Sequence, residues 1–247
     1  MGRAGEHMEL YQIQIANHLC IYTWALAYSA MIYRGFKDQS YGMPIVALTL
    51  NLSWEIIFSL IIPPYGSADA ALVPYGGAKA QIVFALWAVL DLVILYTFFR
   101  FGYKYFAKSY GITRGQWIGF TVVMLVFSFL VILTGAKFFM QFDTYFNRDQ
   151  IEAAKVIAFA QNALMSVSFV AMFYARGGSM EGQSFTIAWA KWIGSSMTTG
   201  LIYILGRPGE WYFVGTFIAM IFVADVYYMV ITYRALRRQG INPWTRL

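Results

Sequence analysis

Charge is scarce in this sequence. Of its 247 residues only 12% are Asp, Glu, Lys or Arg, about half the roughly 25% that a soluble globular domain carries, which excludes an ordinary water-facing surface. Histidine is nearly missing, and His7 and His18 are too few and too peripheral for a metal cluster. The single cysteine, Cys20, sits inside an apolar run, so no intramolecular disulfide forms and the redox compartment cannot be read from it. There is no Walker loop, no GxGxxG after a strand, no HExxH and no CxxC, so no metal and no cofactor is implied. The last apolar run contains no lysine for a retinal Schiff base, and no proline is followed by glutamine as PQ-loop transporters require.

What fills the chain instead is apolar. Hydrophobic residues make up 60% and aromatic residues 19%. Runs long enough to cross a hydrocarbon core of ~30 Å as helices occur at Ile15–Tyr33, Met43–Ile62, Gln81–Arg100, Trp117–Met140, Val156–Tyr174, Ser184–Leu205 and Trp211–Tyr233. The expectation is an all-α, polytopic membrane protein, a single domain over residues 1–247 with seven transmembrane helices in one bundle. Ala25-Leu-Ala27 has the small residues of a signal-peptide cleavage site, but Glu6 and Glu9 precede it where a basic segment is needed, so the first run reads as a retained span.

Lys and Arg divide unevenly between the two sides. Arg34, Lys37, Arg100, Lys104, Lys108, Arg114, Arg176 and the Arg234–Arg246 group fall on one side, opposed only by Asp38 and Glu181. Arg3, Lys79, Lys137, Arg148, Lys155 and Arg207 fall on the other, diluted by Glu6, Glu9, Asp69, Asp143, Asp149, Glu152 and Glu210. Positive loops stay in the cytosol, which places the N-terminus outside or in a lumen and the C-terminus in the cytosol. The net charge of +6 is then a topology signal and an attraction to anionic lipid, and no nucleic-acid partner is needed to explain it.

The first and fifth runs echo each other. Asn17 and Leu19 match Asn162 and Leu164, and each run exits into Arg-Gly, at Arg34-Gly35 and Arg176-Gly177. This points to a 3+1+3 arrangement, of a kind common in transporters.

Four ionisable residues stand out deep within the apolar runs: Glu55, Asp91, Lys191 and Asp225. Each costs about 2.5–3.5 kcal/mol at mid-membrane on insertion scales and therefore calls for a role. Asn51 lies one turn before Glu55, with Trp54 beside it and Phe58 and Ser59 one turn on; Phe84, Trp87 and Phe98 share the stripe of Asp91; Phe222, Tyr228 and Met229 flank Asp225. At the helical rise, Glu55 and Asp225 sit roughly 18 and 12 Å from the same side, so they would line one cavity if the second and seventh helices are neighbours. Lys191 has the depth to form a buried ion pair with Asp225 or to snorkel to the headgroups, and Asp91 reads equally as a structural hydrogen bonder. Tyr11, Trp117, Trp211 and Trp244 are interface anchors, whereas Trp54, Trp87, Phe222 and Tyr228 are candidates for a lining.

With Asn51-Leu-Ser-Trp-Glu55 in the second run, Asp225 in the last, and the Gly206-Arg-Pro-Gly-Glu-Trp211 turn, the chain resembles the integral-membrane terpene cyclases of meroterpenoid and indole-diterpene biosynthesis. The resemblance implies a cyclase of a bacterial plasma membrane or a fungal endoplasmic reticulum whose reaction starts by protonation, with Glu55 and Asp225 as the essential acids, no cofactor, and a lipophilic isoprenoid substrate drawn from the bilayer. The DDxxD and DxDD clusters of soluble terpene cyclases are missing, so no Mg²⁺-diphosphate site is expected. The chemistry agrees with the residues. Opening an epoxide or protonating an alkene needs a carboxylic acid that keeps its proton near neutral pH, which burial and a second carboxyl nearby promote. Aromatic faces stabilise the resulting cation by about 0.5–2 kcal/mol each, and a water-poor cavity prevents its early capture. On this reading Asn51, Trp54, Phe58, Trp87, Asp91, Phe222 and Tyr228 contact substrate. The competing reading is a proton-coupled seven-helix transporter in which Glu55, Asp91 and Asp225 relay protons.

Overall fold

The computed structural model describes residues 2–63, 78–142, 150–200 and 212–247, with side chains described from Gln14 onward, Thr199 excepted. The Gly206–Trp211 turn, residues 201–205 of the sixth run, and the loop charges Asp69, Asp143, Arg148, Asp149, Arg207 and Glu210 lie outside the described residues.

Every described element is helical. They are α1 (Gly2–Lys37), α2 (Ile45–Ile56) continued by a π-helix, π1 (Ile57–Ile61), α3 (Ala78–Phe101), α4 (Tyr103–Tyr110), α5 (Arg114–Phe139), α6 (Gln150–Ala175), α7 (Phe185–Trp192) continued by π2 (Ile193–Gly200), and α8 (Tyr212–Arg238). The seven apolar runs fall on α1, α2–π1, α3, α5, α6, α7–π2 and α8. Four of these, α3, α5, α6 and α8, are individually long and apolar enough to cross a membrane, and Ile45–Ile61 is a shorter apolar helix. In α1 the apolar stretch is diluted by Asn17, His18, Thr23 and Ser29. The short helix α4 falls in what the sequence presents as a loop, and it ends where Gly111 takes a left-handed φ of 65°.

Local sequence sets the helix starts. Thr113 and Gln116 form a reciprocal capping box before α5, Ser184 accepts from the Ile187 amide to start α7, and Pro44 precedes α2. The outer surface is greasy: Leu86, Val89 and Leu92 on α3 and Val123, Phe127 and Leu130 on α5 are exposed at helical spacing. Apolar faces of that extent belong against lipid.

The packing is reciprocal. Helix α1 packs on α3 as α6 packs on α8; α2 packs on α3 as α7 packs on α8; and across the middle α2 meets α6 as α7 meets α1. Matching contacts of this kind are what two three-helix units of like packing make, with α5 as the extra helix against α2 and α6. The 3+1+3 pattern hinted at by Asn17 and Asn162 thus has a counterpart in the contacts. Helix α1 comes very close to π2, where a Cβ on Gly194 would stand 2.8 Å from both Thr23 Oγ1 and Trp24 Cδ1.

At one end of the bundle the polar groups form a clasp. Asp38 accepts from Arg34, from Arg246 (3.2 Å) and from the Gly182 amide (2.9 Å). Arg246 also donates to the Met180 carbonyl at 3.0 Å, which ties the C-terminus to the α6–α7 loop. Gly182 has φ +72°, and a Cβ there would lie 2.6 Å from the Tyr41 carbonyl, so the two loops can touch only with glycine at this position. Arg176 lies 4.0 Å over the Tyr41 ring and 4.7 Å over that of Tyr105, and Tyr105 donates to Glu181 while its oxygen lies 2.8 Å from the Ser40 hydroxyl. Burial first, and the bond to Glu181 second, push the Tyr105 phenol up to about 12.

Candidate active site

Glu55 and Asp91 meet on the amide of Asn51. Both carboxyls are buried, at 1% and 0% exposure, and Asn51 Nδ2 donates to Glu55 Oε1 and to Asp91 Oδ2, each at 2.8 Å. Helical spacing puts Asn51 and Glu55 on one face of α2, and α3 supplies Asp91 to that face. Helix α1 contributes Tyr28, whose hydroxyl donates to Glu55 Oε1 at 2.8 Å and lies 2.6 Å from Asn51 Nδ2. From α6, Gln161 Nε2 donates to Asn51 Oδ1 at 3.2 Å. Glu55 Oε2 and Asp91 Oδ1 have no hydrogen-bond donor among the described residues.

A second buried centre stands in the other half. Lys191 on α7, 1% exposed, is ion-paired with Asp225 on α8, 2% exposed, and donates to Ser166 of α6 at 2.6 Å. Ser195, one turn after Lys191, donates to the other oxygen of Asp225 at 3.2 Å. The parts correspond: a hydroxyl on α1 or α6 (Tyr28, Ser166), a nitrogen on α2 or α7 (Asn51, Lys191), a carboxylate on α3 or α8 (Asp91, Asp225), and a polar group one turn past the nitrogen (Glu55, Ser195). Similar depth along the helices, which suggests Glu55 and Asp225 as partners, is therefore not what decides the grouping. Glu55 is brought together with Asp91, and Asp225 with Lys191, because α2 packs on α3 and α7 on α8. Of the two fates open to Lys191, the buried ion pair is the one observed.

Around the Glu55 centre the aromatic rings are continuous. Trp24 lies 5.4 Å from Tyr28, Tyr28 6.3 Å edge-on to Trp87, Trp87 6.0 Å from Phe84, Phe84 4.7 Å from Trp54, and Trp54 5.2 Å from Phe58. Trp54 is fixed by donating from Nε1 to the Ala154 carbonyl at 3.0 Å. Asn51, Trp54, Phe58, Trp87 and Asp91 are thus in or beside one centre. Tyr228 belongs to the other half, 1% exposed, donating to Gln183 Oε1 at 2.6 Å with its ring 5.4 Å from Phe169. Phe222 is 40% exposed and packs on Trp192, which leaves it on the outer surface instead of in a lining. Tyr28, Gln161, Ser166 and Ser195 are members of the two centres that the sequence alone does not single out. Among the described residues no three His, Cys, Asp or Glu side chains converge as a metal site requires.

A buried acid cluster beside a run of rings is the equipment of carbocation chemistry, and comparison with known proteins points the same way. The model of the Pyr4-like transmembrane terpene cyclases matches residues 6–238. The chain belongs to that family. The cyclase is 30% identical over 190 residues to the Pyr4-family terpene cyclase mfmH of Annulohypoxylon moriforme, covering 75% of this chain and 69% of that one. It is 28% identical over 226 residues to the terpene cyclase pyr4 of Aspergillus fumigatus, covering 87% and 83%. No solved structure matches the cyclase. Family membership makes it an integral-membrane enzyme that cyclises an isoprenoid, and it decides between cyclase and transporter in favour of the cyclase.

Proposed function

We propose that the cyclase protonates a prenyl chain carrying a terminal epoxide, as part of a meroterpenoid or related isoprenoid compound, with Glu55 as the group that delivers the proton. One observation supports this most: Glu55 is a wholly buried carboxyl on neutral partners, with no cation bonded to it among the described residues, set against a continuous run of rings. The proton forms an O–H bond on the epoxide oxygen, the C–O bond breaks, and the cation at carbon is taken up by successive alkenes as ring C–C bonds form. Loss of one C–H proton at the end restores the balance, so product and substrate have equal mass. The rings of Tyr28, Trp87 and Trp54 face the developing positive charge, and exclusion of water prevents its capture.

Asp225 takes a different part. Its charge is matched by Lys191, so it acts as a fixed ion pair of the second half, a dipole that orients the field across the reaction space without giving up a proton. All seven helical segments cross the membrane in this reading, with the N-terminus outside or lumenal and the C-terminal clasp in the cytosol.

The test is incubation of membranes holding the cyclase with epoxidised farnesyl and geranylgeranyl compounds, followed by mass and NMR analysis. Cyclised isomers of unchanged mass are expected from the wild type. Glu55→Gln is nearly isosteric but cannot deliver a proton, so its rate should fall by about 10²–10⁴-fold. Full turnover by a folded Glu55→Gln protein would remove Glu55 as the acid.

A further inference from the structure

We infer that Glu55 and Asp91 work as one acid, a single proton shared between two carboxyls on the Asn51 and Tyr28 cradle, with Asp91 the positioning half and Glu55 the delivering half. The inference rests on the reading that protonation starts the reaction.

The first support is a shortage of donors. Four carboxyl oxygens and the Tyr28 oxygen crowd a buried space in which the only hydrogens that the described residues aim at them are two on the Asn51 amide and one on the Tyr28 hydroxyl. Asn51 Nδ2 faces three oxygens at hydrogen-bond distance, those of Tyr28 (2.6 Å), Glu55 (2.8 Å) and Asp91 (2.8 Å). Two hydrogens cannot satisfy three acceptors, and Glu55 Oε2 and Asp91 Oδ1 are left without a donor among the described residues. A buried acceptor left unmet costs free energy, and a carboxyl proton is the smallest donor that removes the deficit.

Charge balance gives the second support. Two bare carboxylates on one neutral amide would place two negative charges in a low-dielectric interior, which is untenable without compensation. The groups that face the pair are Tyr28 from α1 and Gln161 from α6, with Ser128 of α5 reaching Thr49 on α2, and none of these carries positive charge. The other half shows how the same frame is balanced by a cation: Lys191 stands where Asn51 stands, and Asp225 where Asp91 stands. With an amide in place of the ammonium and a second carboxyl in place of Ser195, one shared proton cuts the charge of the first centre from −2 to −1, the least protonation that keeps two bare carboxylates from standing side by side. The geometry thereby separates a half that holds a transferable proton from a half that holds a fixed one.

The experiment is infrared spectroscopy of the full-length protein, read at the C=O stretch of protonated carboxylic acids and combined with carboxyl-¹³C labelling of aspartate or of glutamate. A shared proton predicts one such band in the wild type that moves with either label; a band that moves with the glutamate label alone overturns the inference, and no variant has to fold for this reading. In parallel, Asp91→Asn should displace or abolish the band and lower kcat about 100-fold at unchanged KM, with Asp91→Glu restoring most of the rate. Wild-type kcat and an unmoved band in Asp91→Asn, beside an inactive Glu55→Gln, would overturn the sharing and leave the protonation reading standing. Full activity of Glu55→Gln would instead overturn that reading.

Discussion

Lys191 cannot be removed without stranding Asp225. In Lys191→Met the aspartate would be a buried anion with Ser195 as its one bonded partner among the described residues, and breaking one side of such a pair costs about 3–5 kcal/mol. The expected outcome is a lower thermal midpoint in detergent and a lower yield, much of both recovered in Lys191→Met/Asp225→Asn. A Lys191→Met protein of normal stability that makes no product would instead place the ammonium in the reaction. At this scale much is legible in the sequence, because an ionisable residue in an apolar run is conspicuous: Glu55, Asp91, Lys191 and Asp225 are all buried. Their partners are harder to see. Depth along a helix says nothing about which helix is adjacent, so depth alone matches Glu55 with Asp225, while the packing of α2 on α3 and α7 on α8 gives each a nearer partner. Tyr28 and Ser166 do not stand out since a lone hydroxyl in a span is ordinary; the one signal they carry is that they lie on the two helices that echo each other.

Among the elements, the two π-helices follow directly after the two centres. Residues 57–61 begin two positions after Glu55, and residues 193–200 two positions after Lys191. Wide turns of this kind recur at functional sites, and here they carry Phe58 and Ser195 onto the faces that the centres use. An apolar run has no feature that separates a π turn from an α turn, which is why neither is legible in the sequence, and the eight residues of α4 are too few and too polar to register as a span. The close passage of α1 over π2 depends on Gly194 having no side chain. Gly194→Ala should push Thr23 and Trp24 aside and destabilise the protein by about 1–3 kcal/mol, seen as a lower midpoint in thermal unfolding, whereas Gly115→Ala, with open space around it, serves as the neutral control. An unchanged midpoint in Gly194→Ala would show that the α1–π2 contact does not depend on the missing side chain.

For the molecule as a whole, the clasp ties the α1–α2 loop, the α6–α7 loop, α4 and the C-terminal residues into one unit. Tyr105 reports on it through pH. Its folded-state phenol is raised to about 12 from an ordinary 10.0, so its contribution to stability is fully present below pH 10 and is lost as pH climbs towards 12. The stability difference between wild type and Tyr105→Phe should therefore stay constant up to about pH 10 and shrink above it; a difference that declines between pH 7 and 9 would contradict the assignment. The helical class and the apolar runs are evident from composition and run length, since lipid demands both. The reciprocal packing of the two halves is only faintly visible, in Asn17, Asn162 and two Arg-Gly exits, because contacts of apolar side chains between helices leave little trace in the letters.

The ring run beside Glu55 also makes the site an optical one. Of the eight tryptophans in the chain, Trp24, Trp54 and Trp87 lie in it, so a polyene folded against these indoles would change their emission and their near-ultraviolet dichroism. Titration of the inactive Glu55→Gln protein with an epoxidised farnesyl compound should show saturable quenching that Trp87→Phe largely removes. An equal response in Trp87→Phe would move the bound chain away from this wall.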